Sequence, residues 1–179
     1  MRRTVLGLFL FAIAFIGFFT RNGHESHGSN AAAASTIARV GDALPDFTVQ
    51  RLDRTKVSVR SYLGHPLWIN LFATWCPPCN DEMPHIEREY AKHHGNLVVL
   101  ALDQQESPKL VNAFVKRYRL TFPVAIDGGD AASAFAVNGL PASIFVDERG
   151  IVRKVLLGEL SPSEMQAAIT LILQRNDGS

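Results

Sequence analysis

The stretch that restricts this chain most is PLWINLFATWCPPCNDEMP, residues 66–84. A near-continuous apolar run ends at Thr74, and a cysteine pair enclosing two prolines follows Trp75. Such a run marks a strand buried on both faces of a sheet. Proline is favoured at the first helical position, where its missing N–H would have no partner anyway. The spacing therefore predicts a strand-to-helix junction at Cys76. The helix should cover residues 77–94, be kinked by Pro84 and end at Gly95.

The flanking pattern agrees with a central buried strand. FTVQRLDRTKVSV alternates apolar and polar residues on both sides of DRT, as a strand pair does. NLVVLALD reads as a second buried strand. SPKLVNAFVKRYRL carries a helical stripe of Leu110, Val111, Phe114, Val115 and Tyr118, with Ser107 as cap and Pro108 as first residue. FPVAID reads as a short strand and DAASAFAV as a short helix. ASIFVD and IVRKVLLG are strands joined by a turn over residues 147–150. SPSEMQAAITLILQ opens with a capping box, Ser161 to Glu164. There are no internal repeats. Strands alternating with helices give an α/β fold, a mixed sheet with helices on both faces. Trp68 and Phe72 read as core.

The N-terminus is of another kind. Arg2 and Arg3 precede a run without charge from Thr4 to Thr20. Residues 1–20 read as a signal peptide or a membrane anchor and stand apart from the fold. Either way the positive charges stay inside and the rest of the chain lies across the membrane, where disulfides are permitted. Residues 21–39 read as a flexible linker, long enough to reach roughly 20 Å. His24 and His27 in it have no further metal ligands nearby and read as solvated. Residues 40–175 form the folded domain. With 18 basic and 17 acidic side chains, no basic stripe points to nucleic acid.

The chain has only two cysteines, Cys76 and Cys79. A structural staple is a poor reading, because so short a loop restricts the unfolded chain little. Zinc needs four ligands, usually two pairs, and no second pair exists. Haem attachment needs a histidine after the second cysteine, and Asn80 stands there. A redox pair remains. At a helix N-terminus the dipole and free N–H groups favour a thiolate, lowering a thiol pKa by about one unit. Pro77 and Pro78 remove two of those donors. The expectation is a moderate Cys76 pKa and a pair that leans toward reduction, since a strongly stabilised thiolate makes an oxidant. No cofactor beyond the Cys76–Cys79 disulfide and no metal is called for.

With WINLFATWCPPCNDEMPHIEREY and the later NGLPASIFVDERG, the chain resembles the membrane-anchored thioredoxin-like disulfide reductases of the TlpA/ResA type, from about Val40 to Leu173. The resemblance implies a thioredoxin fold with an N-terminal strand pair and an α/β insert around residues 107–127. It implies an extracytoplasmic bacterial setting, the periplasm or the outer face of the cytoplasmic membrane. It implies client proteins with disulfides and a membrane thiol-electron donor as partners. Cys76 matches the attacking cysteine, Cys79 the resolving one and Pro84 the helix-kinking proline. Pro141 matches the proline with a cis peptide bond that faces the active site, leaving the Leu140 backbone free for a client segment. Pro77 and Trp75 border the same place, and Trp75 is either core or docking surface. Glu82, one helical turn from Cys79, matches an acidic residue that assists proton transfer. From its spacing alone it is equally a solvated helix glutamate. Asn70 stands where thioredoxin has a buried aspartate and cannot titrate. The cytochrome-maturation branch has a glutamate after the cis-proline; Ala142 stands here, which weakens the case for an apocytochrome client.

Two other readings stay open. A copper-binding or copper-delivery module on a related fold would separate its cysteines by three residues and add a histidine. A thiol peroxidase would want a threonine where Ala73 stands, and Thr74 is one position off.

Overall fold

The computed structural model describes residues 37–174. Residues 1–36, with the expected anchor, most of the linker and His24 and His27, lie outside the described residues, as do residues 175–179.

The central run forms strand β3, Leu67–Phe72, in which every residue is buried. It pairs in parallel with β4, Val98–Gln104, and antiparallel with β6, Ala142–Val146. The expected strand pair is β1, Thr48–Arg51, and β2, Lys56–Ser58. The second of these is shorter than the alternation suggests: Val59 turns inward and opens a 3-10 turn, Val59–Tyr62, capped by the Ser58 hydroxyl. β5, Val124–Asp127, joins β1 to β4. β7, Val152–Leu157, closes the far edge against β6. The result is a mixed seven-stranded sheet ordered β2-β1-β5-β4-β3-β6-β7.

Side chains alternate across β3 and so build two cores. Trp68 and Phe72 face a core shared with helices α1, Pro77–Lys92, α2, Pro108–Tyr118, and α4, Pro162–Leu173. Leu67, Ile69 and Leu71 face the other, with Leu44, Phe47, Val59 and residues of the short helix α3, Asp130–Ala134. α2 and β5 occupy the place of the expected insert. Among the described residues, no helix is long and apolar enough to cross a membrane.

Three local expectations need correcting. α1 ends at Lys92, with His93 as its cap, and Gly95 follows at φ +84. Ser107 occupies the cap position of α2, but its side chain makes no capping hydrogen bond. Its carbonyl instead accepts from Leu110 and Val111. Leu110 belongs to the sequence stripe yet is exposed, so only Val111 and Phe114 of α2 are fully in the core. The capping box of α4 forms as read: Glu164 N–H donates to Ser161 Oγ at 3.3 Å and Ser161 N–H to Glu164 Oε2 at 2.9 Å.

Candidate active site

The junction after β3 sets the site. Cys76 is the N-cap of α1, with extended backbone (φ −87, ψ 109), and Pro77 and Pro78 open the helix. Neither proline has an N–H, so the first free amide of the helix belongs to Cys79. That amide donates to Cys76 Sγ at 3.3 Å. One donor thus remains where an ordinary helix offers several. Cys76 and Cys79 are joined in a disulfide. Cys79 is fully enclosed, while Cys76 keeps 4% of its surface.

That surface opens on a groove of about 490 Å³. Trp75, Cys76 and Pro77 line one side, and Val137, Gly139 and Leu140 belong to the other. Trp75 is 70% exposed, which rules out the core reading of this residue. The Leu140–Pro141 peptide is cis. Pro141 O accepts from Gly158 N at 2.8 Å, tying the loop to the end of β7. No backbone hydrogen bond from the described residues reaches Leu140.

Glu82 lies on the same buried face of α1 as Cys79 and is 1% exposed, so the solvated reading does not hold. Its carboxylate accepts from Leu160 N–H at 3.2 Å and from Asn70 Nδ2 at 3.3 Å. Burial pushes its pKa up to about 7; the two hydrogen bonds offset part of the rise, and nearby Glu159 adds to it. Asn70 Nδ2 also donates to Ser143 Oγ at 3.2 Å, and Trp68 Nε1 donates to the same oxygen at 2.9 Å. A buried polar chain therefore runs from Trp68 through Ser143 and Asn70 to Glu82.

A second carboxylate reaches the junction, and sequence reasoning missed it. Glu106, between β4 and α2, accepts the Thr74 N–H at 2.5 Å on one oxygen and the Thr74 hydroxyl at 2.7 Å on the other. Its own N–H donates to Asp103 Oδ1 at 2.8 Å. Asp103 is fully buried near the end of β4, and its Oδ2 has no partner. Burial and the Glu106 carboxylate raise the Asp103 pKa to about 7. Burial also raises Glu106, but its hydrogen bonds with Asp103 and Thr74 outweigh this and hold it below the ordinary value. Glu106 is therefore ionised at neutral pH. Thr74 and Glu106 are 32 residues apart, and no spacing rule in the sequence links them.

A profile of the AhpC/TSA family matches residues 40–155. The thiol-disulfide oxidoreductase ResA of Bacillus thuringiensis subsp. konkukian is 36% identical over 129 residues, covering 71% of this chain and 75% of that protein. The thioredoxin-like protein YneN of Bacillus subtilis is 32% identical over 134 residues, 73% of this chain and 79% of that one. Among solved structures, MTB dsbF superposes with a TM-score of 0.66 at 28% identity, covering 72% of this chain and 98% of the other. A thiol:disulfide interchange protein of the thioredoxin family from Chlorobium tepidum gives 0.67 at 25%, covering 78% and 100%.

Proposed function

The chain belongs to the AhpC/TSA family as a thioredoxin-fold thiol-disulfide oxidoreductase of the ResA type, and on that premise we propose that it reduces disulfides in client proteins outside the cytoplasm. Cys76 is the attacking residue. Its thiolate attacks one sulfur of a client disulfide, forming a Cys76–client bond and expelling the other client sulfur as a thiolate. Cys79 then attacks Cys76 Sγ. The mixed disulfide breaks, the second client thiol leaves, and the protein is left oxidised by two electrons.

The observation that carries the direction is the poverty of donors at Cys76. Among the described residues, only the Cys79 N–H donates to its sulfur, so the thiolate gains little and the dithiol is not over-stabilised. Glu82 takes the proton that Cys79 must lose. With a pKa of about 7 it is partly ionised at neutral pH and able to accept. Trp75 and the Leu140–Pro141 segment border the groove in which a client strand would lie, with the Leu140 backbone as a pairing edge. A membrane-bound dithiol donor restores the reduced state, and residues 1–20 hold the domain near that donor as an anchor or direct it there as a signal. The peroxidase reading loses ground because the Thr74 hydroxyl is bound by Glu106.

The test is a Cys79→Ser variant mixed with an unfolded protein carrying one disulfide. It should accumulate a dithiothreitol-sensitive adduct, and Cys76→Ser should form none. An adduct in both variants, or in neither, would contradict the assignment.

A further inference from the structure

Among the described residues, the Glu106 carboxylate hydrogen-bonds to Thr74 alone, in the segment that carries the attacking sulfur. One residue, Trp75, separates Thr74 from Cys76, so their Cα atoms are no more than about 7.6 Å apart. The segment is also folded back on itself, with Cys76 N–H donating to Ala73 O at 3.1 Å. Both donors of Thr74, its N–H and its hydroxyl, are used by one carboxylate. The Glu106 backbone N–H in turn donates to Asp103, which is buried with its other oxygen free of partners. The arrangement places a full negative charge on the order of 10 Å from Cys76 Sγ, by the reach of these bonds.

We propose that Glu106 is a positioning residue for the redox reaction: it fixes the entry to the cysteine loop, and its charge disfavours the Cys76 thiolate and so strengthens the pair as a reductant. This rests on the thiol chemistry proposed above. The helix N-terminus favours a thiolate, the two prolines weaken that effect, and Glu106 opposes what is left. Like charges at this separation shift an ionisation equilibrium by about two- to tenfold, depending on how much water intervenes. Asp103 holds the Glu106 main chain, and Glu106, held below its ordinary value, stays ionised at neutral pH.

Glu106→Gln separates charge from shape. The amide oxygen still accepts the Thr74 N–H, and the amide nitrogen donates to the Thr74 hydroxyl. The reduced protein is alkylated with iodoacetamide across pH to titrate Cys76. It is also equilibrated with glutathione, in which dithiol plus glutathione disulfide gives protein disulfide plus two glutathiones. The Gln variant should raise the Cys76 thiolate-to-thiol ratio two- to tenfold at fixed pH. The glutathione equilibrium should move toward the dithiol by at least about twofold. Glu106→Asp keeps the charge and should stay with the wild type. If the Gln variant does not fold, Glu106→Ala carries the same reading. Unmoved values in the Gln or Ala variant overturn the proposal, as does an Asp variant that shifts as far as they do. Failure of the wild type to exchange with glutathione would instead overturn the proposed function itself.

Discussion

Glu82 is a carboxyl group enclosed by the protein, and its cost depends on pH. Its pKa rises from 4.5 to about 7 on folding, because burial disfavours the charged form. Below pH 4.5 the proton is bound in both states and no penalty exists. As pH climbs toward 7 the unfolded chain releases its proton first, so stability falls, by about 3 kcal/mol once the window is crossed. Asp103 works in the same direction, from 3.8 to about 7. Urea unfolding at pH 5 and pH 8 should therefore find the wild type less stable at the higher pH. Glu82→Gln should lose much of that difference while slowing release of the mixed disulfide, since the proton acceptor is gone. Equal pH profiles in the two proteins would contradict this. The one-turn spacing of Cys79 and Glu82 was legible in the sequence. The burial of Glu82 was not, because one of its partners, Leu160, is 78 residues away.

At the scale of elements, α4 does more than cover the sheet. Met165, Ala168, Ile169 and Ile172 pack in the same core as Met83 and Ile86 of α1. Gln166 Nε2 also donates across to the buried Glu89 at 3.5 Å. Leu160, which holds Glu82, lies just before the Ser161 cap, so the cap steadies the redox helix as well as its own. Ser161→Ala should lower the unfolding free energy by about 1 kcal/mol in a urea titration; a change below about 0.3 kcal/mol would show that the box contributes little. Elements whose signals are local were readable in advance: the buried run of β3, the proline-opened helix and the capping box. Ser107 shows the boundary of such reading. It has the right residue and position for a cap, yet its backbone carbonyl supplies the turn and the hydroxyl makes no cap bond. Leu110 shows it too, since a stripe records helical period but not how far the neighbouring surface extends.

For the whole molecule, order within the sheet explains where the chemistry sits. β3 is flanked by a parallel and an antiparallel neighbour, so its end delivers Cys76 beside both the β4–α2 connection and the loop before β6. Glu106 arrives by the first route and Pro141 by the second. The sequence named the second through a recognisable motif and missed the first, which depends on strand order alone. The central claim is that electrons leave through Cys76 because little stabilises its thiolate. The direct test is the reduction potential of the Cys76–Cys79 pair, read by equilibration with glutathione or dithiothreitol buffers. The account predicts a value below about −230 mV, on the reducing side of glutaredoxins. A value near −120 mV, that of a strong oxidant, would contradict it.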